Sequence, residues 1–90
     1  MKIKEGYLLR KLGDAAVVIP VGEEVIDFRG MVSLNDTAAF LWETLQTHQT
    51  KESLCEALCE TFDVEATRAM QDVERFLELL YQHDFMAEET

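Results

Sequence analysis

Few side chains in this sequence could do covalent chemistry, and they are scattered. Cys55 and Cys59 stand four apart, a spacing that puts both thiols on one side of a helix. Such a pair could begin a metal or iron–sulfur site. In a CxxxC-based cluster motif, however, the third cysteine would fall at Phe62. A structural zinc ion asks for four ligands, and only His48 and His83 could complete them, at no motif spacing. By helical angle Cys55 lies beside Leu58 and Phe62 at the margin of a core, with Cys59 further out, so both read as packing thiols. His48 falls in a polar break and His83 at a helix end, neither with a Ser, Cys or Asp partner at a telling position. The glycines are scattered, so no loop is built to cradle phosphate. The chain reads as a non-enzyme, with no catalytic residue, metal or cofactor assigned.

One constellation stands out for binding rather than catalysis. Arg68, Asp72, Arg75 and Leu79 are spaced four, three and four, so on a helix they line one face, flanking the apolar face that carries Ala69 and Phe76. Ordinary ion pairing of Arg68 with Asp72 and of Asp72 with Arg75, plus a surface Leu, accounts for such a stripe. The alternative is one wall of a groove that accepts a partner with both apolar and charged groups.

The elements that must position this stripe can be read from periodicity. Tyr7–Leu12 and Ala15–Ile19 are strand-like, with Gly13-Asp14 as a turn and Pro20 as a strand end. Val25-Ile26-Asp27-Phe28 and Met31-Val32-Ser33-Leu34 are two further short runs around Arg29-Gly30. A meander of three or four antiparallel strands follows. At Leu34 the period switches from two to 3.6: Asn35 and Asp36 can cap a helix whose Ala38, Leu41, Trp42 and Leu45 recur at helical spacing. That helix is expected over 36–46. Thr50 caps a second helix with Leu54, Leu58 and Phe62 on its apolar stripe. Asp63 caps a third, with Ala66, Ala69, Met70, Val73, Phe76, Leu77 and Leu80 facing the core. It ends near Gln82-His83-Asp84, where His83 or Asp84 must supply the left-handed residue, and Phe85-Met86 fold back as an apolar hook. The order is α+β: an N-terminal three- to four-stranded antiparallel sheet followed by three helices, a winged helix-turn-helix-like arrangement in one domain spanning residues 1–90.

Charge divides the chain. Its net charge is −10. Residues 1–35 carry equal numbers of acidic and basic side chains, whereas in residues 36–90 only Lys51, Arg68 and Arg75 oppose the acids. A winged helix that binds DNA needs a basic third helix, because affinity rests on Lys and Arg displacing counterions. Here Arg68 and Arg75 are outnumbered by Glu65, Asp72, Glu74 and Glu78. Met1-Lys2-Ile3-Lys4-Glu5 has no apolar signal core and no apolar run approaches the roughly 20 residues of a membrane span, so a soluble cytoplasmic protein is expected.

These residues together resemble the PqqD family, named for the coenzyme PQQ biosynthesis protein D. The resemblance rests on the collinear set of three strands, the run Leu34-Asn35-Asp36-Thr37-Ala38-Ala39 leading to Leu41-Trp42, then Thr50 with Leu54 and Leu58, then Phe62-Asp63-Val64 and a long helix containing Phe76-Leu77. It spans about residues 6–87. Two features depart from the pattern. His83-Asp84 stand where the family often has Gly before two apolar residues, and Val25–Gly30 is extra length before the short strand.

The resemblance implies a non-catalytic peptide-binding domain, a RiPP recognition element or peptide chaperone of natural-product biosynthesis. Such a domain binds the leader segment of a ribosomally made precursor by strand addition and presents it to a modifying enzyme, often a radical SAM enzyme. The implied site is a sheet edge and the third helix: Val25, Ile26, Asp27 and Phe28 or Met31, Val32, Ser33 and Leu34 as the edge, and Arg68, Asp72, Arg75 and Leu79 as the wall. Backbone pairing would give affinity, and the Arg and Leu positions selectivity for a carboxylate or an apolar group. Nucleic acid and membrane are not expected partners. An open edge could also pair with a second copy, so a monomer or weak homodimer is expected. The alternatives are a winged-helix DNA-binding regulator and another protein–protein interaction module.

Overall fold

The computed structural model describes residues 1–13, 15–20 and 32–87. Two six-residue strands, β1 (Tyr7–Leu12) and β2 (Ala15–Pro20), pair antiparallel from Tyr7 opposite Pro20 to Leu12 opposite Ala15. Gly13 opens the turn between them with φ +64°, a left-handed backbone that glycine adopts without penalty. β3 (Val32–Leu34) lies antiparallel on the far side of β2, with Val32 opposite Val18 and Leu34 opposite Ala16. Among the described residues the sheet therefore has three strands in the order β1-β2-β3. The run Val25–Phe28 and Met31 lie outside the described residues.

Alternation aims one face of this sheet at the helices. Val18 is completely buried between its cross-strand neighbours Leu9 and Val32, and Val32 and Leu34 are buried while Ser33 between them is exposed. On the other face Leu8 is 47% exposed.

Three helices cover the inner face: α1 (Asp36–Thr44), α2 (Lys51–Thr61) and α3 (Ala66–Gln82). α1 starts where it should. The Asn35 side chain accepts the Ala38 N–H at 2.9 Å, relieving one of the free donors of the first turn. The helix is two residues shorter than the expected span, closing at Leu45, whose N–H reaches back to Leu41. α2 opens on a reciprocal capping box: Thr50 accepts from the Ser53 N–H at 3.0 Å, and the Ser53 hydroxyl accepts from the Thr50 N–H at 2.9 Å.

The start of α3 differs from the expectation. Asp63 does not cap it. Glu65 is the capping residue, without a side-chain hydrogen bond, and the helix begins at Ala66, which is exposed rather than on the core face. The cause is the preceding bend. The Val64 N–H donates to the Phe62 carbonyl at 2.9 Å, and Phe62 and Val64 both pack against the core. Keeping two apolar residues inward delays the helix past Asp63.

The core is one cluster. Trp42, Leu41 and Leu45 of α1 and its end, Leu54 and Leu58 of α2, and Ala69, Val73, Phe76, Leu77 and Leu80 of α3 are buried together with Val18, Val32 and Leu34 of the sheet. The C-terminal hook closes it. Asp84 takes the left-handed conformation at φ +58°, which Asp tolerates better than most residues. This turns Phe85 inward, where its ring meets Tyr7 at 4.6 Å and stands edge-on to Trp42 at 5.6 Å. The N-terminal segment is laced between this hook and the end of α1. The Ile3 N–H donates to the Leu45 carbonyl at 3.0 Å, the Lys4 N–H to that of Phe85 at 2.9 Å, and the Ala87 N–H to that of Lys2 at 2.9 Å.

Candidate functional site

β3, the first turn of α1 and one face of α3 converge on a groove of about 160 Å³. Its rim at the strand is Ser33, Leu34 and Asn35. Thr37, Ala38 and Leu41 of α1 and Phe76 of α3 form the floor. Asp72, Arg75 and Leu79 form the opposite wall. The strand-to-helix junction at Asn35 makes this possible. Three residues after β3 begins, the cap ends the strand and turns α1 under it, leaving β3 and α3 as two sides of one cleft.

The structure thus brings together most of the stripe read from the sequence. Asp72, Arg75 and Leu79 line the groove with Ser33 and Leu34, while Arg68 does not line it and Val32 is buried beneath the sheet. Leu79 is half-buried against the core rather than a spare surface residue. Periodicity did not point to Asn35, Thr37, Ala38, Leu41 and Phe76 as lining residues. Leu41 and Phe76 were legible as core, and a core residue at the bottom of a cleft carries no separate signal.

Electrostatically the wall is uneven. Arg68 Nε donates to the Asp72 carboxylate at 3.3 Å, and Asp72 is the more sheltered partner, 16% exposed against 69%. Arg75 is exposed and has no hydrogen bond or ion pair among the described residues. Only half of the ion-pair pattern that would make the stripe self-contained is formed. The Asn35 carboxamide oxygen is already engaged, accepting from the Ala38 N–H at 2.9 Å and the Thr37 hydroxyl at 3.1 Å.

β3 adds backbone to the site. Among the described residues nothing pairs with its side away from β2. Alternate residues of a strand direct their N–H and C=O groups to opposite sides, so this short edge, about 10 Å long, leaves a few ladder positions open to an added strand.

A second, larger depression of about 540 Å³ lies on the other side of α1, lined by Lys11, Gly13, Ala16, Asp36, Phe40 and Phe62 among others. It includes no residue of β3, and Lys11 is paired with Glu43 at 3.6 Å.

The cysteines and histidines do not assemble. Cys55 and Cys59 are half-buried free thiols, and Cys55 Sγ lies 3.7 Å from the Ala66 carbonyl, bridging α2 to the start of α3. Burial, and then the neighbouring Cys59, push the Cys55 thiol above its ordinary value. His83 is exposed and stacks on Phe85 at 5.5 Å. Among the described residues no group of three or more His, Cys, Asp or Glu side chains is placed to hold a metal ion, and no helix is long and apolar enough to cross a membrane.

A short antiparallel sheet with one edge strand facing the third of three helices is a winged-helix-like layout. The chain belongs to the PqqD family: the family model described as coenzyme PQQ synthesis protein D (PqqD) matches residues 20–86. That match begins at the last residue of β2 and takes in β3 and all three helices. Among solved structures, TbiB1 in complex with the TbiA(beta) leader peptide has the same fold, with a TM-score of 0.74 at 18% identity over 100% of this chain and 99% of that one. A comparison with curated proteins returned no match.

Proposed function

We propose that this chain is a leader-peptide-binding RiPP recognition element. It binds an extended segment of a ribosomally made precursor peptide and presents it, in the cytoplasm, to a peptide-modifying enzyme such as a radical SAM enzyme. The observation that carries this reading is the juxtaposition of the β3 edge, unpaired among the described residues, with the α3 wall of Asp72, Arg75 and Leu79 across one narrow groove. A peptide added to that edge satisfies its free backbone groups, and every second side chain then enters the groove. At about 160 Å³ the groove suits one or two side chains rather than a small-molecule cofactor, whose pockets run from about 300 Å³ upward. Membership in the PqqD family and the fold shared with a protein solved with a leader peptide support the same reading. Val25, Ile26, Asp27, Phe28 and Met31 remain proposed contacts that precede the edge in sequence.

The test is an NMR titration of the labelled protein with leader segments of candidate precursor peptides from the same genome. Amide signals of Val32–Leu34 and of residues 68–79 should shift together. Shifts confined to α2, or none, would reject the reading.

A further inference from the structure

We infer that the groove selects a peptide carrying an acidic residue two positions from a Leu-sized apolar residue, with Arg75 as the specificity-determining contact for the acid. This rests on the peptide-binding reading and adds to it the chemistry of the ligand.

Three observations converge. The first is the charge inventory of the groove. Among the described residues it holds two charged side chains, and Asp72 is paired with Arg68 from outside. The remaining one, Arg75, has no hydrogen bond or ion pair among the described residues. Among the described residues the groove therefore presents one guanidinium without a partner. Such a group binds a carboxylate through paired N–H donors, more strongly than it binds a neutral amide.

The second observation is the surroundings of that cation. Leu34, Ala38, Leu41, Phe76 and Leu79 give the groove an apolar part beside the polar Ser33, Asn35 and Thr37. Arg75 is exposed in the free protein, and a charge-assisted bond to it counts for more once a bound peptide covers this part of the groove. The same apolar part provides a seat for an aliphatic side chain next to Leu79.

The third is spacing. Arg75 and Leu79 are four residues apart on α3, about 6 Å along the helix axis. Same-face residues of an extended strand, i and i+2, are about 6.7 Å apart. A strand that runs along α3 within the groove sets one side chain at Arg75 and the next on its face at Leu79. The acid-x-apolar pattern, in either chain direction, follows from the match of those two periods.

The selectivity is local, because the protein as a whole carries −10 and repels an extensively acidic peptide. One acid in an otherwise neutral segment satisfies both conditions.

The probe is a library of nonapeptides on a Thr/Val background, with two alternate positions varied independently among Glu, Gln, Lys, Leu and Ala. It is screened against the full chain, and the best binders are measured by fluorescence anisotropy. Peptides with Glu and Leu at the two positions should dominate. Replacing that Glu by Gln should weaken binding about tenfold, the scale of one hydrogen bond to a charged group. The loss should vanish in Arg75→Gln, and Arg75→Glu should prefer Lys at that position. Arg75 is exposed, so both variants should keep the wild-type circular dichroism spectrum. Enrichment without an acid, or equal affinity for the Glu and Gln peptides, would overturn the selectivity while leaving peptide binding intact. Failure of every library peptide, with NMR shifts also absent for the candidate leader segments, would overturn the underlying reading as well.

Discussion

Arg68 and Arg75 sit two turns apart on the same face of α3 and have different circumstances. Helical periodicity was enough to place both with Asp72 and Leu79, because a fixed angle per residue decides which positions share a face. It could not decide which arginine Asp72 takes, since that depends on side-chain rotamers and on shelter. Asp72 pairs backward with Arg68, which leaves Arg75 in the groove without a counter-charge among the described residues. Cys55 was similarly half legible. Its place at the core margin follows from the helical wheel, but its contact with the Ala66 carbonyl required the α2–α3 bend to be known. The raised Cys55 thiol has a definite consequence. The native state holds this proton more tightly than the unfolded chain. Its contribution to stability is therefore complete below the ordinary thiol range and is lost as pH rises through the higher native value. Because the thiolate is the reacting species, alkylation of Cys55 by iodoacetamide at pH 8 should run slower in the folded protein than in urea. Site-resolved mass spectrometry measures both rates, and equal values would show that the thiol is not shifted.

At the scale of elements, strands and helix interiors were plain in the sequence and helix ends were not. β1 occupies the expected Tyr7–Leu12, and β2 the expected run extended by Pro20, because alternation with a Gly turn and a Pro stop leaves few other solutions. Asn35 and Thr50 cap as their residue types imply. Asp63 is of an equally good capping type but is not used. A cap's value depends on where the first helical turn falls, and the inward packing of Phe62 and Val64 moved that turn two residues on. The two sites give a paired test. Thr50→Ala removes half of a reciprocal cap and should cost about 1 kcal/mol, lowering Tm by about 4–8 °C for a chain of this size. Asp63→Ala removes an exposed side chain that makes no cap and should stay within about 0.5 kcal/mol. Thermal melts of the two variants under the same conditions decide it. Equal losses would mean that Asp63 caps α3 in solution.

For the molecule as a whole, charge separates two proteins that could share this fold. In a DNA-binding winged helix the third helix must approach phosphates, and each contact gains by releasing counterions. Here α3 runs through Asp72, Glu74 and Glu78, with Glu65 at its cap, and Arg68 is already tied to Asp72. Of the cations on this helix only Arg75 is left to meet a phosphate, against a molecular charge of −10. The same helix face suits a peptide, whose backbone bonds to β3 need no charge at all. The two ligands should therefore separate most clearly at low salt, where phosphate attraction is strongest and DNA binders bind even random sequence with micromolar affinity. At about 50 mM salt, fluorescence anisotropy of a labelled 20-base-pair duplex should stay flat up to about 100 µM protein, while the labelled leader peptide saturates well below that. A rise with the duplex that weakens steeply on adding salt would instead indicate several basic contacts, and would mean that cations away from α3, such as Arg10 and Lys11 of β1, take part.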